Sequence, residues 1–210
     1  MTRQVAMRAA DISMVLPGSW ANIPVSEEPL SERIIAGLVI RQVGREDRLA
    51  RVRREVKLQL RDVVARARAA GAFQVALSLE ILPGIPFPAA MVLDFVPWNG
   101  ESPQPERQAA MLQDMLPAAE VFTLECGIVA RTWRVVEIQP GRETIPDTKL
   151  EYLLPTPAGD QLLHIVADTP VECDPEMIVA LFDAIVDSIR WRESAVAADD
   201  EPAGGSNGNP

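Results

Sequence analysis

The sequence predicts an α+β protein: a single antiparallel β-sheet of about six or seven strands flanked by helices, as an α/β/α sandwich. Three observations carry this. Apolar alternation of period two recurs in segments parted by short Pro/Gly turns, the pattern of hairpins and antiparallel pairing. Helical periodicity is confined to an early and a late cluster instead of alternating with strands. With 210 residues, 48% of them apolar, the chain is long enough to bury a core without disulfides or metals.

The elements follow in order. "ISMVL" (12–16) reads as a strand ended by Pro17-Gly18. In the "LPGSWANIP" that contains this turn, Trp20 is expected to fold back as a plug over a sheet edge or a helix. Pro24 is then expected to fix the direction of exit. "LSERIIAGLVIRQVG" spaces Leu30, Ile34 and Leu38, and Ile35, Val39 and Val43, at i, i+4, which predicts a helix, with Gly44 just past its end. The next helix covers 46–70, with Leu49, Val52, Val56, Leu60, Val63 and Ala67 as its apolar stripe and Gly71 as its stop.

The period then shifts to two. Phe73, Val75, Leu77, Leu79 and Ile81 alternate with Gln74, Ala76, Ser78 and Glu80, and "PAAMVLDFVPW" follows across "PGIPFP" as the hairpin partner. A short helix is expected from Pro105 to Leu116, and two strands in "EVFTLECGIVARTWRVVEI" that break at Cys126-Gly127. "KLEYLLPT" and "DQLLHIVAD" make a further hairpin. The last helix has Asp174 as N-cap, Pro175 at N1 and a stripe of Ile178, Leu181, Phe182, Ile185 and Ile189. Residues 1–192 read as one α+β domain. The segment 193–210, acidic and rich in Gly and Pro, reads as a disordered tail.

Charge is the most informative feature. The formal charge is −10, which sets a low expectation for nucleic acid, because such binding is mostly phosphate neutralisation. Yet residues 45–68 hold nine Lys/Arg against four acids, a local +5 that leaves −15 on the remainder. Two readings of this helix stay open. Arg51, Arg54, Lys57 and Arg61 form a surface for an anionic partner, or they are a solvated face whose arginines cover apolar surface and pair with the acidic remainder.

Reactive chemistry is sparse. Cys126 and Cys173 are too few for a disulfide framework and stand in no CxxC. His164 is the single histidine and is expected to be an ordinary strand residue; no GxSxG or cysteine-nucleophile signature accompanies it. Asp183 and Asp187 are i, i+4 on the last helix and read as its solvated face. No phosphate loop and no cluster of metal-ligand spacing occurs, so no cofactor and no metal are expected. Trp20, Trp98, Trp133 and Trp191 lie near element ends. Rim packing around the sheet is one reading; an aromatic cleft of Trp20, Trp98 and Trp133 is the other. The opening "MTRQVAMRAADISMVLPG" lacks a signal-peptide h-region, and no run approaches the roughly 18 apolar residues of a spanning helix. A cytoplasmic chain without membrane insertion is therefore expected.

The order of parts, with Pro17-Gly18-Ser19-Trp20 in front and Phe182 to Trp191 behind, resembles the PsbP/Mog1-like α/β/α sandwich over roughly residues 10–191. The two long early helices depart from that family. The "PGSW…IP" opening and "FDAIVDSIRW" close are also similar to small actinobacterial proteins of unassigned role, some associated with type VII secretion. The resemblance implies a binding or assembly factor and carries over no catalytic residue. The sequence thus points to a non-enzymatic protein-interaction or accessory module with a protein partner. The alternative is a small-molecule binder or enzyme with an aromatic-lined cleft at the sheet edge.

Overall fold

A computed structural model describes residues 2–7, 12–98 and 104–191. The expected tail, 193–210, lies outside the described residues. The strands are β1 (Thr2–Met7), β2 (Ile12–Pro17), β3 (Ser19–Pro24), β4 (Gln74–Leu82), β5 (Ile85–Pro86), β6 (Ala90–Pro97), β7 (Glu120–Leu124), β8 (Gly127–Ile138), β9 (Ile145–Pro155), β10 (Gln161–Thr169) and β11 (Arg190–Trp191). The helices are α1 (Glu28–Val43), α2 (Ala50–Ala69), α3 (Pro105–Met115) and α4 (Pro175–Asp187). The protein is α+β with antiparallel pairing, as the sequence predicts.

The single sheet is a simplification. One sheet runs β3-β4-β6-β10-β9-β8-β7, with β5 paired to β4. A second, three-stranded sheet runs β1-β2-β11. The break falls at Pro17-Gly18, where the chain leaves the small sheet and enters the large one. Pro17 ends a ladder because it has no N–H to give. Gly18 takes φ +76° in a place where backbone of β4 presses against it. Trp20 is a strand residue of β3, and its ring folds back against the core that β2 and α4 form on the sheet. Its indole N–H donates to the Pro17 carbonyl at 2.8 Å, which closes the turn from within.

Helices cover both faces of the large sheet. Successive strand residues point to opposite faces, and they enter different cores. Ala76 and Leu163 join the core built on β2 and α4, with Met14, Phe182 and Ile185. Val75, next to Ala76, joins the core under α1 and α2, with Ile23, Ile35 and Val64. Leu162, next to Leu163, joins the one under α3, with Leu112 and Leu153. So α4 and the small sheet lie on one face. The other face carries α1 and α2 at the β3 end and α3 towards β8.

Two helical expectations shift. The buried side of α2 is Val64 and Ala67, with Val56 and Leu60 partly covered. Val52, assigned to the apolar stripe, is 44% exposed. A stripe read at three and four residues says nothing about how far the surface it packs on extends, and α2 outruns its cover. Its N-terminus is a 3-10 turn, Asp47–Leu49, so α2 proper begins at Ala50. On α4, Asp174 accepts a hydrogen bond from the Glu176 amide at 3.0 Å and Pro175 occupies the first turn, as the sequence predicts.

Candidate interaction surface

The basic residues of α2 divide into two sets. Arg61 forms a bidentate pair with Glu32 of α1, and Lys57 reaches the same carboxylate at 3.5 Å. The Arg61 hydrogen bonds hold the Glu32 carboxyl below its ordinary range. Arg68 donates to the Val25 carbonyl at 2.9 Å, and Arg53 donates to the Gly44 and Glu46 carbonyls at 3.0 and 2.7 Å. These side chains fasten the α1–α2 hairpin. Arg51 and Arg54 are different: both are exposed, and neither makes an ion pair among the described residues. Residues 51, 54 and 58 lie along one helical face, and Leu58 there is 56% exposed. The free surface of α2 thus carries Arg51, Arg54 and Leu58, with the exposed carboxylate of Glu55 on the same face and exposed Val52 further round the helix.

The tryptophans do not converge. Trp98 is buried against Leu112 of α3, with its indole N–H unpartnered. Trp133 stands 42% exposed on β8. Trp20, on β3, lies five strands from β8, roughly 24 Å at the usual strand spacing. Trp20 lines a cleft. It has a volume of about 480 Å³, between β3 and α1, with Asn22, Arg33, Ile34, Gly37 and Arg41 on its walls.

A second cleft, of about 350 Å³, opens between the α1–α2 pair and the sheet, walled by Leu38, Val39, Leu60 and Leu77, with Asp168 beside them. Burial pushes the Asp168 carboxyl above its ordinary range, against the pull of Lys149 at 3.8 Å.

His164 is more than an ordinary strand residue. Its Nδ1 lies 2.9 Å from Asp94 Oδ1 and its Nε2 lies 3.0 Å from Glu151 Oε1. Asp94 is its direct cross-strand partner on β6, and Glu151 sits diagonally on β9. Ionised carboxylates only accept, so both bonds form together only when both ring nitrogens carry a proton. The trio bridges three adjacent strands. Both ring nitrogens are taken by carboxylates, so this imidazole has no hydroxyl or thiol to activate as a nucleophile. A signal for it exists in the sequence: "LDF", "LHI" and "LEY" each set one polar residue into an apolar strand core.

The pair on α4 also departs from expectation. Asp183 and Asp187 do not form a solvated face. Asp183 pairs with Arg131 and accepts the Tyr152 hydroxyl at 2.9 Å, while Asp187 accepts the Glu125 amide at 2.6 Å. Asp183 ties α4 to β8 and β9, and Asp187 ties it to the turn between β7 and β8. Among the described residues no group of three or more His, Cys, Asp or Glu is placed to hold a metal ion, and no helix is long and apolar enough to cross a membrane.

Both cysteines are free. Burial, then the negative charge of Asp187, pushes the Cys126 thiol up to about 11, whereas Cys173 is exposed and its thiol is raised less far. The thiolate is the reactive form. Native protein at pH 7.5 is therefore expected to take up one equivalent of iodoacetamide, at Cys173, with Cys126 modified only after unfolding. Peptide mapping by mass spectrometry checks this; equal modification of both thiols in native buffer contradicts it.

Fold and surface together define an α+β protein with two antiparallel sheets and an exposed cationic helix. Comparison adds little to that description. No protein-family model matches the chain, and no curated protein matches it. A solved structure from Bacteroides thetaiotaomicron is similar at a TM-score of 0.40 and 7% identity, over 58% of this chain and 39% of that one. The present chain thus spans well under half the length of that structure.

Proposed function

We propose that this protein is a non-enzymatic interaction or assembly module that docks an acidic protein partner on the free face of α2. The observation that carries the reading is the placing of Arg51 and Arg54, which make no ion pair among the described residues, beside exposed Leu58 on a face where Glu55 is the one exposed acid between them. Arginine next to apolar surface is the composition that interface cores favour, and a cationic face on a chain of net charge −10 selects against self-association by the same face. The reading is supported by the resemblance of the "PGSW" and "FDAIVDSIRW" segments, and of helices on both sides of a sheet, to PsbP/Mog1-like accessory factors, and it makes secretion the process in which we would look first.

The test uses Arg51→Glu with Arg54→Glu, and leaves Lys57 and Arg61 intact because they hold α1 to α2. Co-purification from the native host is expected to recover a stoichiometric partner with the wild type. The double variant is expected to weaken that complex at least tenfold while its melting temperature stays within a few degrees. An unchanged complex would remove α2 from the interface.

A second reading has its own observation. The cleft of about 350 Å³ walled by Leu38, Val39, Leu60 and Leu77, with one carboxylate, Asp168, has the size and composition of a small-molecule site. A compound that raises the melting temperature of the wild type but not of Asp168→Asn would favour it over a pure docking role.

A further inference from the structure

We infer that the cleft between β3 and α1 is a second docking site, separate from the free face of α2, and that it takes an extended acidic peptide segment as an added β-strand. β3 is an edge strand of the large sheet: β4 pairs one side of it, and no strand among the described residues pairs the other. An edge strand offers a row of alternate N–H and C=O groups, a template that another chain can complete. Most edges are blunted by charge or covered. This one instead lies along a cleft of about 480 Å³ whose far wall is a single stripe of α1: Arg33, Ile34, Gly37 and Arg41.

Three features of the cleft define its occupant. Its charge is wholly positive: Arg33 and Arg41 line it, no carboxylate does, and neither arginine makes an ion pair or side-chain hydrogen bond among the described residues. That contrasts with Lys57, Arg61 and Arg68, which α1 and its neighbours already use. On the strand side, the cleft is floored by β3 itself at Trp20, Ala21 and Asn22, the edge to which no strand among the described residues pairs. On the helix side, Gly37 stands in the middle of α1, where glycine costs about 1 kcal/mol relative to alanine. No close packing demands it: a Cβ built at Gly37 meets nothing within 4 Å. A residue that weakens the helix and leaves room on its surface suits a site that must admit a backbone.

The geometry also sets the spacing of the peptide. Ser31, near the start of α1, bonds the carbonyl of Pro24 at the end of β3, so α1 folds back along the strand. Arg33 and Arg41 are eight residues apart on the helix, about 12 Å at 1.5 Å per residue. On an extended strand the matching separation is four residues, about 13 Å, and residues i and i+4 share a face. The segment recognised is therefore two carboxylates four residues apart, with a small apolar residue midway that faces Gly37.

The probe is a capped heptapeptide that alternates threonine with aspartate, valine and glutamate, titrated into the full chain and followed by nuclear magnetic resonance. Saturable binding is expected, with the largest shifts at the Asn22 amide and the Trp20 indole and slower hydrogen exchange at Asn22. The lysine analogue and a peptide N-methylated on alternate amides should each bind at least tenfold more weakly, the first for charge and the second for the missing ladder. Arg33→Glu with Arg41→Glu should weaken binding at least tenfold, and Gly37→Phe should abolish it by filling the cleft. Gly37→Ala serves as the folding control, more stable than wild type and still able to bind. Arg51→Glu with Arg54→Glu should leave peptide binding unchanged, so this site and the α2 surface stand or fall separately. No saturation at millimolar peptide, equal binding of the N-methylated or lysine peptide, or shifts centred away from β3 would overturn the proposal.

Discussion

Gly18→Ala is expected to lower stability by about 2–5 kcal/mol, the sum of two independent penalties. Gly18 has φ +76°, a left-handed conformation that costs an L side chain about 1–2 kcal/mol. Its added Cβ would also overlap the Glu80 carbonyl oxygen and stand 2.8 Å from both Cα and O of Ile81. Those atoms are backbone of β4, which cannot rotate aside, so the strand must shift, at about 1–3 kcal/mol by analogy with overpacked cores. The strand that shifts pairs with β3, β5 and β6, so the strain spreads through the large sheet. For a chain of this size the loss corresponds to a fall in melting temperature of roughly 10 °C. Gly84 is the internal comparison. It has φ +78° but open space where its Cβ would go, so Gly84→Ala carries only the conformational penalty. Urea unfolding of the two variants separates strain from collision, and equal losses would show that the approach of Gly18 to β4 is unimportant.

The same contact explains what was legible in the sequence and what was not. Elements whose pattern is local were readable: the i, i+4 spacing of α1, the alternation of β4, the Asp174-Pro175 start of α4. β3 was not. "SWANIP" ends in proline, lacks alternation and follows a Pro-Gly turn, so it reads as a loop. It becomes a strand because β4 lies alongside to pair with it, and that is a property of the tertiary fold. β11 is only two residues long and exists through its pairing with Ile12 and Ser13, some 175 residues earlier in the chain. Site residues divide in the same way. The excess of positive charge on α2 is a count, visible in composition, whereas its partition into paired Lys57 and Arg61 and free Arg51 and Arg54 depends on where Glu32 falls on the neighbouring helix. The roles of Asp183 and His164 were missed for one reason. An isolated polar residue in an apolar element reads as exposed unless the strands that present its partners can be placed in register.

Asp183→Ala is the second variant from which a large loss is expected, about 3 kcal/mol, and the loss does not measure the strength of an ion pair. Arg131, with a side chain 10% exposed, lies between Asp183 and Glu120, over the ring of Phe122. Tyr152, fully buried, spends its hydroxyl on Asp183. Burial pushes the Asp183 carboxyl above its ordinary range even though Tyr152 and Arg131 pull it down. Desolvation therefore outweighs attraction, and the ionised carboxylate is less comfortable in the fold than in the unfolded chain. Its contribution to stability accordingly falls as pH rises from the ordinary carboxylate range through the raised folded value. Removing Asp183 alone nevertheless destabilises, because it leaves a guanidinium and a phenol buried with too few partners. If that is the physics, removing the whole set costs less than removing one member. Arg131→Met, Tyr152→Phe and Asp183→Leu together are expected to be within about 1 kcal/mol of wild type, as replaced buried ion pairs often are. The triple variant should also lack the pH-dependent decline attributed to Asp183. Losses that simply add across the three positions, measured by denaturant unfolding at pH 7, would show instead that each contact stabilises α4 on its own.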